Sequence, residues 1–244
     1  MLLKDVLFSQ GFGTRYDCAA MVASGAVEIA AEVHDDPDED VETEGLVFRC
    51  LGTDWPYFEK AIIALNKPAG YECSMKPSAH PSVMTLLPSP LRRRNMQPVG
   101  RLDVDTTGVL IFTDDGALQH RLIHPKRHVS KIYDVVCRHP VDEKTREKLM
   151  AGVVLDDDPK PVAAKDVEIL DEHHLRMTLV QGKYHQVKRM IAACSNRCDG
   201  LHRSAFGLYV MPETLKQGEW VWPPQNNRKR HFILIRGLWT AERS

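Results

Sequence analysis

The chain has 244 residues, of which 43% are hydrophobic and 27% charged, with a formal net charge of −1. These values are ordinary for a globular protein, and no apolar run approaches the roughly 18 residues a membrane helix needs, so a membrane partner is not expected. The opening MLLKDVLFSQGFG has no basic leader and is broken by Lys4 and Asp5, so no secretory signal is expected, and six scattered cysteines then read as reduced thiols of a cytoplasmic protein.

In chain order, LKDVLFSQ has apolar residues at helical spacing and ends at GFG. Thr14 is a candidate N-cap for a second helix, RYDCAAMVASG, with Gly25 in the position just past its end. AVEIAAEV reads as a strand, HDDPDEDVETEG as an acidic loop and LVFRCLG as a strand. TDWPYFEK reads as a linker, because Pro56 disfavours helix at Trp55. Beyond it, AIIAL is a buried strand closed by NKPAG, and GVLIFT is another closed by DDG. ALQHRLIHP predicts a short helix, SKIYDVVC a strand, and VDEKTREKLMAG a helix starting near Asp142 and ending at Gly152. DVEILDEHHLRMTLV reads as two strands around a polar hairpin. HQVKRMIAAC is a helix with Val187, Met190, Ile191 and Cys194 on one face, and HRSAFGLYVM is a further strand. The tail NNRKRHFILIRGLWTAERS is basic and then apolar, a docked strand or a loose extension. Strands that are often adjacent rather than alternating with helices point to an α+β fold.

Charge divides the chain. Residues 1–60 hold four basic and thirteen acidic residues, a local charge of −9, whereas the rest holds 28 basic and 20 acidic, or +8. The break suggests two units, with residues 1–55 a small helix-turn-helix and strand module, 60–232 the larger domain and 233–244 a C-terminal extension. It also suggests a polyanionic partner for the basic part.

The stretch VGRLDVDTTGVLIFTDDG concentrates four aspartates. DVDTT matches the D-x-D-x-T pattern of aspartate-nucleophile phosphotransferases, but that chemistry needs the acid at the end of a buried strand with bound Mg²⁺. Here the strand-like run follows the motif. Asp114 and Asp115 read as ordinary turn residues. The whole of GRLDVDTTGVLIFTDDG resembles the signature of the uridine-to-pseudouridine isomerases. So do LNKPAGYECSMKPSAHPSVMTLLP, the K-x-Y-x-V strand in SKIYDV, the basic helix in QGKYHQVKRMIAA, and GLHRSAFGLYV, in that order over about residues 60–225. The HPSV and KYHQVKRM details resemble the small-subunit ribosomal RNA branch more than its large-subunit relatives. The N-terminal unit resembles an S4 RNA-binding module, although that module is usually basic.

The resemblance implies a mixed, mainly antiparallel sheet and the isomerisation of a specific uridine in ribosomal RNA, most simply 16S rRNA. A 23S rRNA enzyme of the same family and a non-catalytic ribosome-assembly protein are the alternatives. It implies no cofactor and no metal, a cytoplasmic location, a small-subunit RNA precursor as partner, and a monomer. Its essential aspartate falls on Asp103, as nucleophile at the ribose or base at the uracil ring. Such a carboxylate needs a nearby cation to stay ionised in a pocket. The matching cation is Lys188, with Arg189 the second choice. Tyr133 matches the site tyrosine, which can stack on the uracil and move a proton at C5. Arg101 matches a phosphate or gap-filling contact, and Leu201 an apolar lining residue. Arg92, Arg93 and Arg94, and Lys126, Arg127 and His128, are basic clusters that could reach RNA phosphates. Cys194, Cys198 and His202 have poor spacing for zinc.

Overall fold

The computed structural model describes residues 1–156 and 158–224. The expected tail, including the extension 233–244, lies outside the described residues. Two helices open the chain, α1 (Leu3–Ser9) and α2 (Arg15–Ala23). Thr14 caps α2 reciprocally with Asp17: the Thr14 hydroxyl accepts from the Asp17 backbone N–H while the Asp17 carboxylate accepts from that of Thr14. The AVEIAAEV stretch is not one strand but a hairpin, β1 (Val27–Ile29) and β2 (Glu32–Val33). Its two turn residues, Ala30 and Ala31, have φ of 52° and 67°. Such turns are normally marked by Asn or Gly, so alanine concealed this one.

β3 (Val47–Cys50) pairs with β1 on one side and with β4 (Thr53–Pro56) on the other. The expected linker is therefore half strand. Trp55 lies opposite Phe48 and is buried. Pro56 is tolerated because it ends the edge strand of the sheet order β2-β1-β3-β4.

The rest forms a larger sheet and a separate two-stranded one. The early elements are β5 (Ile62–Lys67), α3 (Ser89–Arg93), β6 (Gln97–Pro98), β7 (Thr107–Thr113), α4 (Gly116–Ile123) and β8 (Lys131–Cys137). Then come α5 (Glu143–Ala151), β9 (Val153–Leu155), β10 (Asp158–Val162), β11 (Asp166–Ile169) and β12 (His174–Leu179). α6 (Gln186–Ala193), β13 (Cys198–Phe206), β14 (Tyr209–Val210) and β15 (Trp220–Val221) complete it. The HRSAFGLYVM stretch, expected as one strand, is the β13–β14 hairpin, and the sequence reading missed the β9–β10 hairpin. The main sheet runs β11-β12-β8-β13-β7-β5-β15. Its one parallel contact is β13 with β7, where His202 lies opposite Thr107 and Arg203 opposite Gly108. The architecture is α+β with a mainly antiparallel sheet.

That parallel contact joins the two halves of the sheet. At Gly108, φ is 106° and a Cβ would stand 2.3 Å from the Arg203 carbonyl oxygen, so only glycine fits. The chain enters β7 through the loop 101–106, directly beside that parallel contact.

The N-terminal unit is not hung on a free tether. Leu3, Val6, Phe48 and Trp55 belong to the same buried cluster as Ile63, Leu65, Leu110 and Phe112 of the main sheet. Trp55 stacks on Trp220 at 6.3 Å and Phe58 meets Trp222 at 5.0 Å. Arg94 ties the joint. Its guanidinium donates to Asp114 at 2.6 Å, to the Phe58 carbonyl at 2.8 Å and to the Gln10 side chain. Its side chain is 4% exposed, so it cannot be the phosphate contact expected of the Arg92–Arg94 run. Asp114, in the bend that closes β7, also accepts from the Ala61 backbone N–H at 2.7 Å, so this turn residue carries a structural task as well. Asp115 has turn chemistry too: it caps α4 by accepting from Leu118 at 3.0 Å. Arg92, Arg93, Lys126, Arg127 and His128 stay exposed.

Candidate active site

The loop 101–106 is tied down from beneath. Lys67, at the end of the wholly buried β5, is itself fully buried. Its ammonium donates to the carbonyls of Pro68, Asp103, Val104 and Thr106 at 2.9–3.2 Å. Burial lowers its pKa, opposed by the fields of the Cys73 thiol and of Asp105 and Asp103. The Gly70 N–H donates to Val104 at 2.8 Å and the Leu102 N–H to the Cys73 sulfur at 3.4 Å. The backbone of the loop is thereby held while the Asp103 side chain stays 27% exposed.

A lysine ammonium and a histidine ring from one end of α6 meet that carboxylate. Lys188 Nζ is 3.2 Å from Asp103 Oδ2, and His185 Nε2 is 3.3 Å from Asp103 Oδ1. Lys188 also bonds Asp105 Oδ1 at 2.5 Å. Burial works against the Lys188 charge, but the hydrogen bond to Asp105 and the field of Asp103 outweigh it and raise its pKa. The Asp105 carboxyl is lowered, first by the Lys188 hydrogen bond. Lys188 is thus a fixed ammonium shared by two carboxylates, the effect that keeps a carboxylate ionised in a pocket.

The other expected residues lie on β8, on β13 and in the loop itself. Tyr133 on β8 is half-buried and lies opposite Met177 and Arg203, and Leu201 on β13 lies opposite Val135. Both pack against the cluster that contains Val187, Met190 and Ile191 of α6, so they share its face of the sheet. Arg101 is exposed at the start of the loop, two residues from Asp103. Arg189 does not take the place at Asp103; its guanidinium donates to the Tyr184 carbonyl at 3.1 Å.

Sequence reasoning missed three participants. The sequence places Lys67 only in a turn, although a lysine ending a run of buried residues is itself a signal. It places His185 at a helix start and Asp105 in a phosphotransferase-like pattern. The Cys194, Cys198 and His202 group makes ordinary contacts: the Cys198 thiol donates to Gly200 at 3.3 Å with burial pushing its pKa up to about 11, and His202 Nδ1 pairs with Thr107 at 2.8 Å. Among the described residues no group of three His, Cys, Asp or Glu side chains is placed to hold a metal ion.

Lys131, two residues before Tyr133, adds a pH dependence. Burial, reinforced by the Arg203 charge, pushes its pKa down to about 8 from 10.5. The unfolded chain therefore binds more protons than the folded one between about pH 8 and 10.5, so stability contributed at this residue rises with pH across that window. Buried thiols such as Cys137, pushed up to about 11, act in the opposite direction at the alkaline end. The expected result is a difference: from pH 8 to 10 the wild type gains melting temperature relative to Lys131→Met. Parallel melting curves for the two proteins across that range would disprove the assignment.

Comparison with known proteins follows the same outline. The family model described as RNA pseudouridylate synthase matches residues 61–193. The chain is 34% identical over 226 residues to the ribosomal small subunit pseudouridine synthase A of Haemophilus influenzae, covering 88% of this chain and 93% of that one. It is 34% identical over 200 residues to the protein of the same name from Yersinia pestis, covering 82% and 80%. Among solved structures, one described as the crystal structure of pseudouridylate synthase matches with a TM-score of 0.63 and 32% identity, over 91% of this chain and 95% of that one.

Proposed function

Because the chain belongs to the RNA pseudouridylate synthase family, we propose that it isomerises a uridine of small-subunit ribosomal RNA to pseudouridine, with Asp103 as the reacting carboxylate. In that reaction the C1′–N1 bond of the nucleotide breaks, the uracil turns, a C1′–C5 bond forms, the proton on C5 leaves through a site base, and N1 takes up a proton in its place. Substrate and product are isomers, so no co-reactant is required. The observation that carries the reading is the Asp103 carboxylate on a braced loop, held between Lys188 and His185 at 3.2 and 3.3 Å. A carboxylate there can attack the ribose or deprotonate the ring. Tyr133 shares the face of the sheet on which α6 packs. We assign it to stacking on the extruded uracil and to the proton at C5, Leu201 to the lining of the base, and Arg101 and Arg189 to the nucleotide's surroundings.

Such chemistry requires the nucleotide to leave the stack, at a cost of a few kcal/mol. We place the enzyme in the cytoplasm as a monomer, acting on a small-subunit RNA precursor. The phosphate contacts are assigned to exposed cations such as Arg92, Arg93, Lys126 and Arg127 of the basic part. The acidic, S4-like residues 1–55 are assigned little of that charge contact. The test is to map pseudouridine in small-subunit ribosomal RNA from a deletion strain and its complemented counterpart. One site should vanish on deletion and return on complementation. A map unchanged by deletion would remove the reading.

A further inference from the structure

Two aromatic rings stand just ahead of α6. Tyr184 is 73% exposed, and its ring lies flat on that of His185, with centroids 3.7 Å apart and planes 21° from parallel. The far edge of His185 is its Nε2, at 3.3 Å from Asp103. From the reacting carboxylate outward the order is therefore Asp103, His185, Tyr184 and then solvent. The pair is well fixed. His185 has the left-handed backbone φ 47°, ψ 33°, an uncommon choice for a residue with a side chain, and one that persists where surroundings enforce it. Those surroundings are visible: the Gln186 side chain accepts from the Lys183 N–H at 2.9 Å, and Arg189 donates to the Tyr184 carbonyl at 3.1 Å. An exposed tyrosine stacked outward from the site has the makings of a nucleobase platform, an aromatic face for a base.

We propose that the Tyr184–His185 stack receives the nucleobase next to the target uridine, replacing the stacking that this base loses when the uridine is extruded. The proposal rests on the reading of the chain as an RNA uridine isomerase. Tyr133 and the inner pocket serve the extruded uracil. Tyr184 stands one ring farther out, where the strand re-enters solvent and a flanking base has an uncovered face. Stacking accepts any base, so the contact strengthens binding without reading sequence.

The probe is a small-subunit ribosomal RNA fragment on which the wild type forms pseudouridine, carrying 2-aminopurine on one or the other side of the target. Wild type and Tyr184→Phe are expected to quench the fluorophore in one of the two positions, and Tyr184→Ala is not. In turnover, Tyr184→Ala is expected to raise KM about tenfold, the loss of one base stack, with a smaller change in kcat. Tyr184→Phe should stay within about twofold of wild type by the same measure. Equal quenching in the alanine variant, quenching at neither position in the wild type, or a phenylalanine variant as weak as alanine, would each overturn the platform. Should no fragment be converted by the wild type, the enzyme reading itself fails, and quenching on unmodified single strands still reports on the stack separately.

Discussion

Asp103→Asn is expected to reduce pseudouridine formation to background, a loss of at least about 10³-fold, as for removal of a positioned acid–base or nucleophilic group. The substitution preserves size and removes both the charge and the reacting oxygen. The loop should hold its shape, because Lys67 grips the backbone carbonyls of Asp103, Val104 and Thr106 and not the side chain. RNA affinity should hold or rise, since a negative charge near phosphates is gone. Lys188→Met should also impair turnover, because the carboxylate then loses the ammonium at 3.2 Å. Asp105→Asn separates this account from aspartate phosphotransferase chemistry. Asp105 is 71% exposed and pairs with Lys188, so its loss leaves that ammonium to Asp103 alone and should cost far less than Asp103→Asn. The phosphotransferase reading requires equal damage and a need for Mg²⁺. Assaying the three variants with EDTA present, by pseudouridine release from a ribosomal RNA fragment, decides between them. Full activity in Asp103→Asn would end this account of the site.

The second large effect is on folding, at Arg94. Removing one partner of a buried ion pair leaves the other charge unpaired and typically costs about 3–5 kcal/mol. Arg94→Ala should show a loss of that size in urea unfolding, because it also abandons Gln10 and the Phe58 carbonyl at the joint between the two sheets. Asp114→Ala should approach the same loss, since the Ala61 N–H is left without its acceptor as well. The double variant should be more stable than the two single losses added together by at least about 1 kcal/mol, the mark of directly coupled residues. An exposed RNA-binding arginine predicts the reverse pattern: stability within about 0.5 kcal/mol of wild type and weakened RNA binding. Because residues 1–56 share a core with the main sheet, cutting the chain between 53 and 60 is expected to be slow.

Local signals were read correctly where a short segment carries its own instruction. The Thr14 capping box, the α5 boundaries at Asp142 and Gly152, and the strand period of β11 and β12 all depend on neighbours a few residues away. The readings that failed lacked such a local mark. Alanines at 30 and 31 adopt the positive φ that Asn or Gly would have announced. Trp55 and Pro56 look like a linker because nothing nearby shows that β3 and Trp220 will cover them. Arg92, Arg93 and Arg94 are identical in type, and only packing decides that the third is buried while its neighbours face water.

The site divides along the same line. By itself the sequence determined the residue types and their order: an aspartate ahead of an apolar strand, a K-x-Y strand, a basic amphipathic helix and an apolar final strand. Those motifs are enough to single out Asp103, Tyr133 and Lys188. Only the tertiary structure decided which acids and cations meet. Asp103 and Lys188 are far apart along the chain and meet at 3.2 Å only in the folded structure. Lys67 and His185 became site residues for the same reason. A charge is worth little in water, and its effect depends on distance and burial. Both are set by the packing of remote segments, which no short stretch of sequence displays.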